Sequence, residues 1–435
     1  MCQYHPRTQM MTRLQSLEAI GHSTDKITVR IIGGTWSHYP KQYQNWFVRK
    51  LFQAANSNLS FRPPANDGVG EISYKDLSAG ARDDKKLSLN KLQEANETAR
   101  HRIVEISVET RQDHIHIKEI MQLRKLGITK VELGVQTIYD PILKLIKRGN
   151  LNKDTIKATK MLKDAGFKVS YQLMLNLPRS TPEKDIAMFK TIFSDQNHQP
   201  DHIKIYPLAL VEGTGLMKMY DEGLFEPYGQ KKLIDTIAKI KNHIPYYCRI
   251  ERVIRDIPSD KIREGGAKIS NLRQMIQEKM KKDGDACHCI RCREVKNNFI
   301  VEEKSHIFRE DYNASGGREI FLSLENEDRS KLYSLLRLRI PESVIDHQKS
   351  DISILTNAGL IRELHTYGPT LRIGQKSSNA AQHRGFGKRL ILEAENIIRD
   401  EFVTSKVAII AGVGARKYFR KLGYNLRSTY MIKDL

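Results

Sequence analysis

Two glycines stand at the start of an amphipathic segment in the C-terminal part of the chain, within QHRGFGK (382–388). Apolar residues then recur at helical spacing, which predicts a helix that begins around Gly385 and Gly387. A helix N-terminus carries unpaired N–H groups and partial positive charge, and glycine lets a backbone approach a phosphate closely. The pattern therefore predicts a pyrophosphate site, although a Gly-x-Gly pair alone is equally typical of an ordinary turn.

Strand-like segments on both sides of this motif favour an acyl-CoA as the ligand. ILTNAGLIRELHTYG (354–368) precedes the glycines, and KVAIIAG (406–412) follows the predicted helix. The edge of the first strand can pair with the amides of a pantetheine arm, because such amides need hydrogen-bonding partners. Tyr418 and Phe419 would then bracket the acyl end.

Three cysteines, Cys287, Cys289 and Cys292, form the pattern C-x-C-x-x-C. Three thiolates so close together suit zinc, which is soft enough for sulfur. An iron–sulfur cluster is a second possibility, although it usually takes a fourth thiolate, and three buried unliganded cysteines are a third. We favour a structural zinc site, and the candidates for its fourth ligand are Cys248, His288 and His306.

The composition is that of a strongly basic globular protein. The 435 residues include 72 Lys and Arg against 51 Asp and Glu, a net charge of +21. Such a surplus indicates a polyanionic partner such as nucleic acid, and a basic enzyme without one is the alternative.

Five cysteines argue against a disulfide framework and for a reducing compartment. We find no membrane span and no signal peptide, and we expect a cytoplasmic protein.

Short segments rich in β-branched residues alternate with amphipathic segments up to about residue 255. This alternation predicts a parallel sheet or a partial TIM-type barrel, with residues 59–90 as an insertion. A helix at 10–20 precedes every strand, so the first strand–helix unit lacks its strand. Residues 256–310 form a basic connecting segment with the cysteines, and 311–435 are predicted as an α+β domain. The predicted strands of the first part are 27–32, 103–109, 130–135, 168–175, 202–208 and 249–254.

Many segments in the same order resemble the catalytic-subunit family of the Elongator complex. In that family a radical-SAM barrel precedes an acetyltransferase domain of the GNAT type, whose Gln/Arg-x-x-Gly-x-Gly signature resembles residues 382–387. The segments that carry the resemblance include GHSTDKITVRIIGGTW (21–36), NETARHRIVEISVETRQD (96–113), VELGVQT (131–137), DAGFKVSYQLMLNLP (164–178), LLRLRIP (335–341), LIRELHTYG (360–368), QHRGFG (382–387) and YFRKLGY (418–424).

The resemblance implies an acetyl-CoA-dependent enzyme that makes carboxymethyluridine at the wobble position of tRNA. It also implies S-adenosylmethionine as a second cofactor, and other Elongator-type subunits or a homodimer as partners. For the radical-SAM site it implies Gly33, Gly34 and Thr35 beside S-adenosylmethionine, with Glu109, Gln136 and Lys204 at strand ends. For the CoA site it implies Gln382, Gly385, Gly387 and Lys388 on the phosphates and Tyr418 near the thioester. The family's second tyrosine is Phe419 here.

For tRNA the resemblance implies a basic surface that includes Arg249, Arg252 and Arg255, whose alternative is a strand face with salt bridges. The family's barrel opens with a cysteine triplet that holds a four-iron, four-sulfur cluster. The only cysteine before residue 248 here is Cys2, so we expect an N-terminally truncated chain without cluster ligands and with an impaired radical step.

Two other functions stay open on the sequence. A protein lysine acetyltransferase would use the same CoA site, with Glu363 or His365 as general base. A tRNA-binding or assembly module without catalysis would bind CoA and not turn it over.

Overall fold

The structure is a computed structural model that describes residues 4–57, 87–254, 257, 261–266, 269, 271–296, 303–342, 352–368, 385–402 and 404–435. Most of the predicted insertion at 59–90 lies outside these ranges, as do Arg255 and Gln382. Within them, no helix is both long enough and apolar enough to cross a membrane.

The first part of the chain forms a six-stranded sheet in the order β1-β2-β3-β4-β5-β7, and all its neighbouring strands are parallel. This is the curled half-barrel that the sequence predicts, and each predicted strand is found within two residues of its expected ends. Its strands are β1 Lys26–Ile31, β2 Arg102–Thr110, β3 Lys130–Gln136, β4 Lys168–Leu175, β5 His202–Pro207 and β7 Arg249–Arg252.

Helices connect these strands and cover the outer face of the sheet. Most carry one apolar stripe that packs on the sheet, and buried apolar residues from strands and helices form one core. The helices of this part are α1 Pro6–Ala19, α2 Lys41–Asn56, α3 Leu89–Asn96, α4 Ile117–Lys125, α5 Asp140–Leu145, α6 Asn152–Asp164, α7 Pro182–Ser194, α8 Gly215–Asp221 and α9 Gln230–Lys241.

The connecting segment packs against the barrel. Its short strand β8 (Ile262–Glu264) pairs with β6 (Leu210–Val211), and its helix α10 (Leu272–Lys282) packs on α9. A single helical turn, α11 (Ile290–Arg293), then reaches the outer edge of β7, where the Ile290 amide donates to the Cys248 carbonyl at 2.9 Å.

The last part forms a seven-stranded sheet in the order β14-β15-β13-β12-β11-β10-β9, with the helix α12 (Phe386–Glu401) against one face. Its first strand begins at His306, before the predicted boundary at 311. Only β12 and β13 are parallel neighbours among these strands. The elements are β9 His306–Asn313, β10 Gly317–Glu325, β11 Leu332–Pro341, β12 Gly359–Thr366, α12 Phe386–Glu401, β13 Lys406–Ile409, α13 Arg416–Arg420, β14 Asn425–Arg427 and β15 Tyr430–Asp434.

The amino-terminal end of the barrel faces this second sheet. The turn before β3 brings Gly127 against Val413, and the turn before β4 brings Gly166 against Ile410. Gly412 approaches β2 so closely that a Cβ atom there would lie 1.9 Å from the Val104 carbonyl oxygen. The carboxyl ends of the barrel strands, where sites of parallel sheets form, therefore lie at the opposite end.

Buried arginines from the second sheet hold the two parts together. Arg362 donates to Asp201 Oδ1 at 2.5 Å and to Glu319 at 2.8 Å, and Arg339 Nε donates to Asp164 at 2.9 Å. Arg337 donates to the Tyr247 carbonyl at 2.7 Å. These arginines are at most 1% exposed, so the domain interface is built around paired charges.

Candidate functional site: two centres at opposite ends of the barrel

Residues predicted for the radical-SAM site lie together at the carboxyl ends of the strands, a region we call the barrel mouth. Gly33 and Gly34 follow β1, Glu109 lies at the end of β2, and Gln136 ends β3. Gln136 has a φ of +68°, a left-handed conformation that a residue other than glycine rarely adopts. Such local strain is frequent where a side chain must point into a site.

The Gly33–Gly34 turn at the mouth is open to solvent. Both glycines are exposed, and a Cβ atom built on Gly33 would meet no other atom within 4 Å. On Gly34 the nearest atom would be the Tyr39 hydroxyl, at 3.6 Å. Thr35 is half-buried beside them. A ligand can therefore approach this backbone closely.

Behind the mouth lies a layer of paired charges. Arg30 donates to Glu109 and to Glu132, each at 3.0 Å, and the fully buried Lys204 also contacts Glu132. The Lys204 ammonium lies 3.6 Å from Glu109. Burial lowers the pKa of Lys204, and the opposing pull of Glu132 only partly offsets it.

The second centre begins at the N-terminus of α12. Gly385 is the N-cap, with a left-handed φ of +80°, and its carbonyl accepts from the Arg389 amide at 2.9 Å. A Cβ on Gly387 would lie 3.2 Å from the Tyr418 hydroxyl and 3.5 Å from the Leu364 side chain. The hydroxyl of Tyr418 therefore lies close to the first turn of α12. Burial raises the pKa of Tyr418, which keeps its hydroxyl protonated at neutral pH.

Beside this helix start, strands β12 and β13 separate. They pair in parallel only from Gly359 to Ile361 on β12, and beyond that β12 continues to Thr366 while β13 ends at Ile409. A cavity of about 370 Å³ lies at this split and extends to the amino-terminal end of the barrel. A split of this kind leaves strand-edge amides and carbonyls free to bind an extended chain.

Ionisable side chains from both parts line this inter-domain cavity. His202 lies between two carboxylates, with Nδ1 at 2.9 Å from Glu251 and Nε2 at 3.6 Å from Glu363. Burial alone would raise the pKa of Glu363, but Lys168, His202 and Arg337 together hold it well below its usual range. His365 also lines the cavity, and burial lowers its pKa to about 4, so its imidazole is neutral at pH 7.

The sequence analysis did not single out His202 or Glu251, yet the sequence contains a signal for them. Pairs of ionisable residues two apart interrupt strands that are otherwise apolar, as in Lys130 with Glu132 and His202 with Lys204. Because alternate residues of a strand share a face, such pairs indicate a polar barrel interior.

The structure corrects the interpretation of Arg249. Its guanidinium donates to Glu294 at 2.6 Å and to the Tyr367 hydroxyl at 3.1 Å, and the side chain lines the inter-domain cavity. A paired arginine in this position does not fit the phosphate-binding surface that we predicted, and the salt-bridge alternative describes it. Arg252, the last residue of β7, is half-buried.

The three cysteines of the connecting segment come together. Their sulfur atoms lie within 4.8 Å of one another beside the edge strand β7. Three such thiolates can hold zinc or an iron–sulfur cluster. The prediction that the chain lacks cysteine ligands for a cluster is therefore wrong as stated. We inferred an impaired radical step from the absence of cysteine ligands. That step remains a prediction, but the absence of cysteines no longer supports it.

Comparisons with known proteins identify the family to which the chain belongs. The Radical SAM superfamily matches residues 74–192, and the Radical_SAM C-terminal domain matches residues 200–282. The tRNA uridine(34) acetyltransferase of Methanocaldococcus infernus is 41% identical over 100% of this chain and 77% of its own length. Human Elongator complex protein 3 is 32% identical over 99% of this chain and 74% of its own length.

Among solved structures, the archaeal Methanocaldococcus infernus Elp3 with an N-terminal deletion is similar throughout. It superposes with a TM-score of 0.86 at 41% identity, covering 99% of this chain and 96% of that one. Similarity of this extent includes the half-barrel, the cysteine segment and the second sheet together. The chain belongs to the radical-SAM family of tRNA uridine(34) acetyltransferases and Elongator catalytic subunits.

Proposed function

We propose that this chain uses acetyl-CoA to modify the wobble uridine of tRNA, as the names of its relatives say of them. The observation that carries the proposal is the inter-domain cavity. It begins where β12 and β13 separate, beside the start of α12, and ends at charged residues of the barrel interior. One molecule thus joins a site suited to an acyl-CoA to a barrel of the radical-SAM type.

In this proposal the amides at the start of α12 hold the CoA pyrophosphate, because a helix N-terminus favours anions. Lys388 is exposed beside them and would pair with a phosphate. The pantetheine arm would lie against the open edge of β12 and deliver the thioester to the cavity. Tyr418, whose hydroxyl stays protonated, would donate a proton to the departing thiolate.

At the barrel mouth, S-adenosylmethionine would supply radical chemistry. The iron–sulfur cluster that such chemistry requires finds no ligand there among the described cysteines, which all lie at the amino-terminal end of β7. The exposed Gly33–Gly34 turn leaves room for the methionine part of the cofactor, and Gln136 and Glu109 would orient it. Arg30 and Lys204 hold the Glu109 carboxylate in place. Side chains at the mouth would also exclude water from the reacting uridine.

For Cys287, Cys289 and Cys292 we propose zinc in a structural role. They lie near the amino-terminal end of β7, the end opposite the Gly33–Gly34 turn, where α11 contacts the edge strand. A metal there would anchor the connecting segment to the sheet.

The substrate tRNA would dock on a basic surface near the mouth, since the net charge of +21 favours phosphates. The reducing environment that unpaired thiols require fits the cytoplasm. Assembly with other Elongator-type subunits, or as a homodimer, belongs to the same proposal.

A protein lysine acetyltransferase needs a base beside the thioester. Arg337 Nε donates to Glu363 at 2.7 Å, and with its pKa far below neutrality this carboxylate is a weak proton acceptor. The neutral His365 is the base on which that second function would depend.

The test is acetyl-CoA hydrolysis with and without tRNA, at low and then higher salt, together with mass spectrometry of the tRNA nucleosides. We expect tRNA to stimulate hydrolysis, and the stimulation to fall steeply with salt because phosphate contacts release counterions. A tRNA with cytidine at the wobble position should bind and gain no modification. Acetylation of a basic protein with no effect of tRNA would instead support the lysine acetyltransferase.

A further inference from the structure

Four ionisable side chains in a row, His202, Glu251, Lys204 and Glu109, connect the inter-domain cavity to the barrel mouth, and we call this row the file. At the cavity, His202 Nδ1 lies 2.9 Å from Glu251 Oε1. The other oxygen of Glu251 lies 3.9 Å from Lys204 Nζ, and that ammonium lies 3.6 Å from Glu109 Oε1 at the mouth. The first contact is a hydrogen bond, and the other two are ion pairs that become hydrogen bonds only when the Lys204 ammonium turns towards either carboxylate. The file runs from one end of the half-barrel to the other.

Neighbouring charged and polar side chains hold this file from several strands. Lys130 of β3 contacts Glu251, and the Ser170 hydroxyl of β4 donates to it at 3.4 Å. On the side of the cavity, Glu363 of β12 faces His202 Nε2 at 3.6 Å. Further along, Arg30 and Glu132 flank Lys204 and Glu109. The geometry is therefore fixed at each member.

The burial of so many charges needs a reason beyond stability. Paired charges in an interior are often no more stabilising than apolar residues of the same size, because each ion loses its hydration. Apolar side chains already fill the rest of this barrel core. A role in which protons move along the file explains why acids and bases alternate between the two centres.

We propose that His202 is the cavity end of a proton relay that runs through Glu251 and Lys204 to Glu109. The inference rests on the proposed function, because the proton comes from thioester cleavage: CH3CO–S–CoA + H2O → CH3COO⁻ + CoA–SH + H⁺. Water attacks the carbonyl carbon, a C–O bond forms and the C–S bond breaks.

In this step Nε2 of His202 accepts the proton of the attacking water, and Nδ1 passes its own proton to Glu251. Burial would raise the pKa of Glu251, but Lys130 and His202 hold it well below its usual range, so this carboxylate carries the proton only in transit. It protonates Lys204 as Lys204 releases a proton to Glu109, which is 21% exposed and gives it to solvent at the mouth. An imidazole serves well here because its two nitrogens accept and donate on opposite sides.

The experiment removes the imidazole and supplies it again from solution. His202→Ala in the full chain should lower kcat for tRNA-stimulated acetyl-CoA hydrolysis about 100-fold, with little change in KM. Free imidazole should enter the cavity and restore the rate in proportion to its concentration. A series of substituted imidazoles should rescue more strongly as their basicity rises, which a structural role would not produce.

Two further variants separate the relay from packing. Glu251→Gln breaks the file at its second member and should lose activity that imidazole does not restore. His198→Ala is the matched control, because His198 is also buried and bonded on both nitrogens, to Asp195 and Asn152 at 3.0 Å each, and lies outside the file. Its activity should not respond to imidazole.

If His202→Ala does not fold, His202→Gln replaces it in the experiment, because glutamine keeps an N–H group near Glu251. It should bind CoA normally and hydrolyse slowly. Wild-type rates in a folded His202 variant, or a loss that no imidazole restores, would overturn the relay. If the wild-type protein itself neither hydrolyses acetyl-CoA nor modifies tRNA, the proposed function fails instead.

Discussion

At the scale of single residues, the two glycines at the start of α12, where we propose that CoA binds, are glycines for different physical reasons. Gly385 has a left-handed φ of +80° and open space around it, whereas Gly387 has an ordinary φ with Tyr418 and Leu364 packed over it. Gly385 needs to be glycine because of its left-handed backbone conformation. Gly387 needs to be glycine because Tyr418 and Leu364 pack close to it.

A pair of alanine variants tests this difference. Gly385→Ala should lower the free energy of unfolding by about 1 kcal/mol, because a Cβ is strained in the left-handed region. Gly387→Ala should leave stability unchanged or slightly raised, since alanine favours a helix. It should nevertheless weaken CoA binding about tenfold, by displacing Tyr418 and covering the helix start. Calorimetric titration and urea unfolding measure both effects, and normal CoA affinity in Gly387→Ala would place the phosphate elsewhere.

The role of a residue could be predicted from the sequence where it depends on local backbone conformation. It could not be predicted where it depends on a partner that is distant in the sequence. Gly385 and Gly387 open a helix as their spacing predicts. Arg249 looked like a surface cation, and nothing local indicates that Glu294 and Tyr367 pair with it. His202 was missed for the same reason, since its partner Glu363 belongs to the other domain.

At the scale of elements, the edge strand β7 depends on the cysteine segment. Cys289 is fully buried between β7 and α11, and the adjacent Ile290 amide bonds to the strand. Without a metal, three thiols would crowd together at this edge with only the short turn of α11 to hold them.

Cys289→Ser should lose the bound metal and lower the melting temperature, because the remaining ligands hold a metal poorly. Elemental analysis and visible absorption measure the outcome: a colourless protein with zinc supports a structural site, and a brown protein with iron indicates a cluster. Cys248→Ser tests the candidate fourth ligand separately, and retained metal in this variant would exclude Cys248 as a ligand. Cys248 is buried, burial raises the pKa of its thiol far above the usual range, and its sulfur is not one of the three. Retained metal in Cys289→Ser contradicts the assignment.

Element types were more predictable than domain boundaries. The barrel strands could be recognised from runs of β-branched residues such as KVSYQLML (168–175), because both faces of a parallel sheet are buried. β9 begins at His306 and was partly assigned to the connecting segment, since its alternating polar residues are typical of an exposed edge. Its pairing with β10 depends on contacts that local sequence does not contain.

At the scale of the whole molecule, the two domains are joined by buried charge. Asp201 is the centre of this arrangement: burial alone would raise its pKa, but Arg362, Lys163 and Arg337 hold it far below the usual range. A carboxyl group whose folded pKa is depressed stabilises the protein above its unfolded pKa of about 3.9. That stability is lost as the pH falls below this value.

Arg362→Met should therefore lower the free energy of unfolding at pH 7 by about 3–5 kcal/mol, because it removes the nearest cationic partner of two buried carboxylates, Asp201 and Glu319. The loss of stability on acidification from pH 6 to about pH 3 should also be shallower than in the wild type. Urea unfolding across this pH range measures both. Arg427→Met, which breaks an exposed pair with Asp434, should cost at most about 0.5 kcal/mol. Equal effects of the two substitutions would argue against the buried network.

The same arginines have a consequence for how the protein is made. Asp164 is translated 175 residues before Arg339, and Asp201 is translated 161 residues before Arg362. While the ribosome is still translating the second part of the chain, these acids lack their arginine partners, and the amino-terminal end of the nascent barrel has no sheet packed against it. We therefore expect the barrel to mature only once the C-terminal part has emerged, and we expect recombination between proteins to succeed only when both partners of these charge pairs are exchanged together.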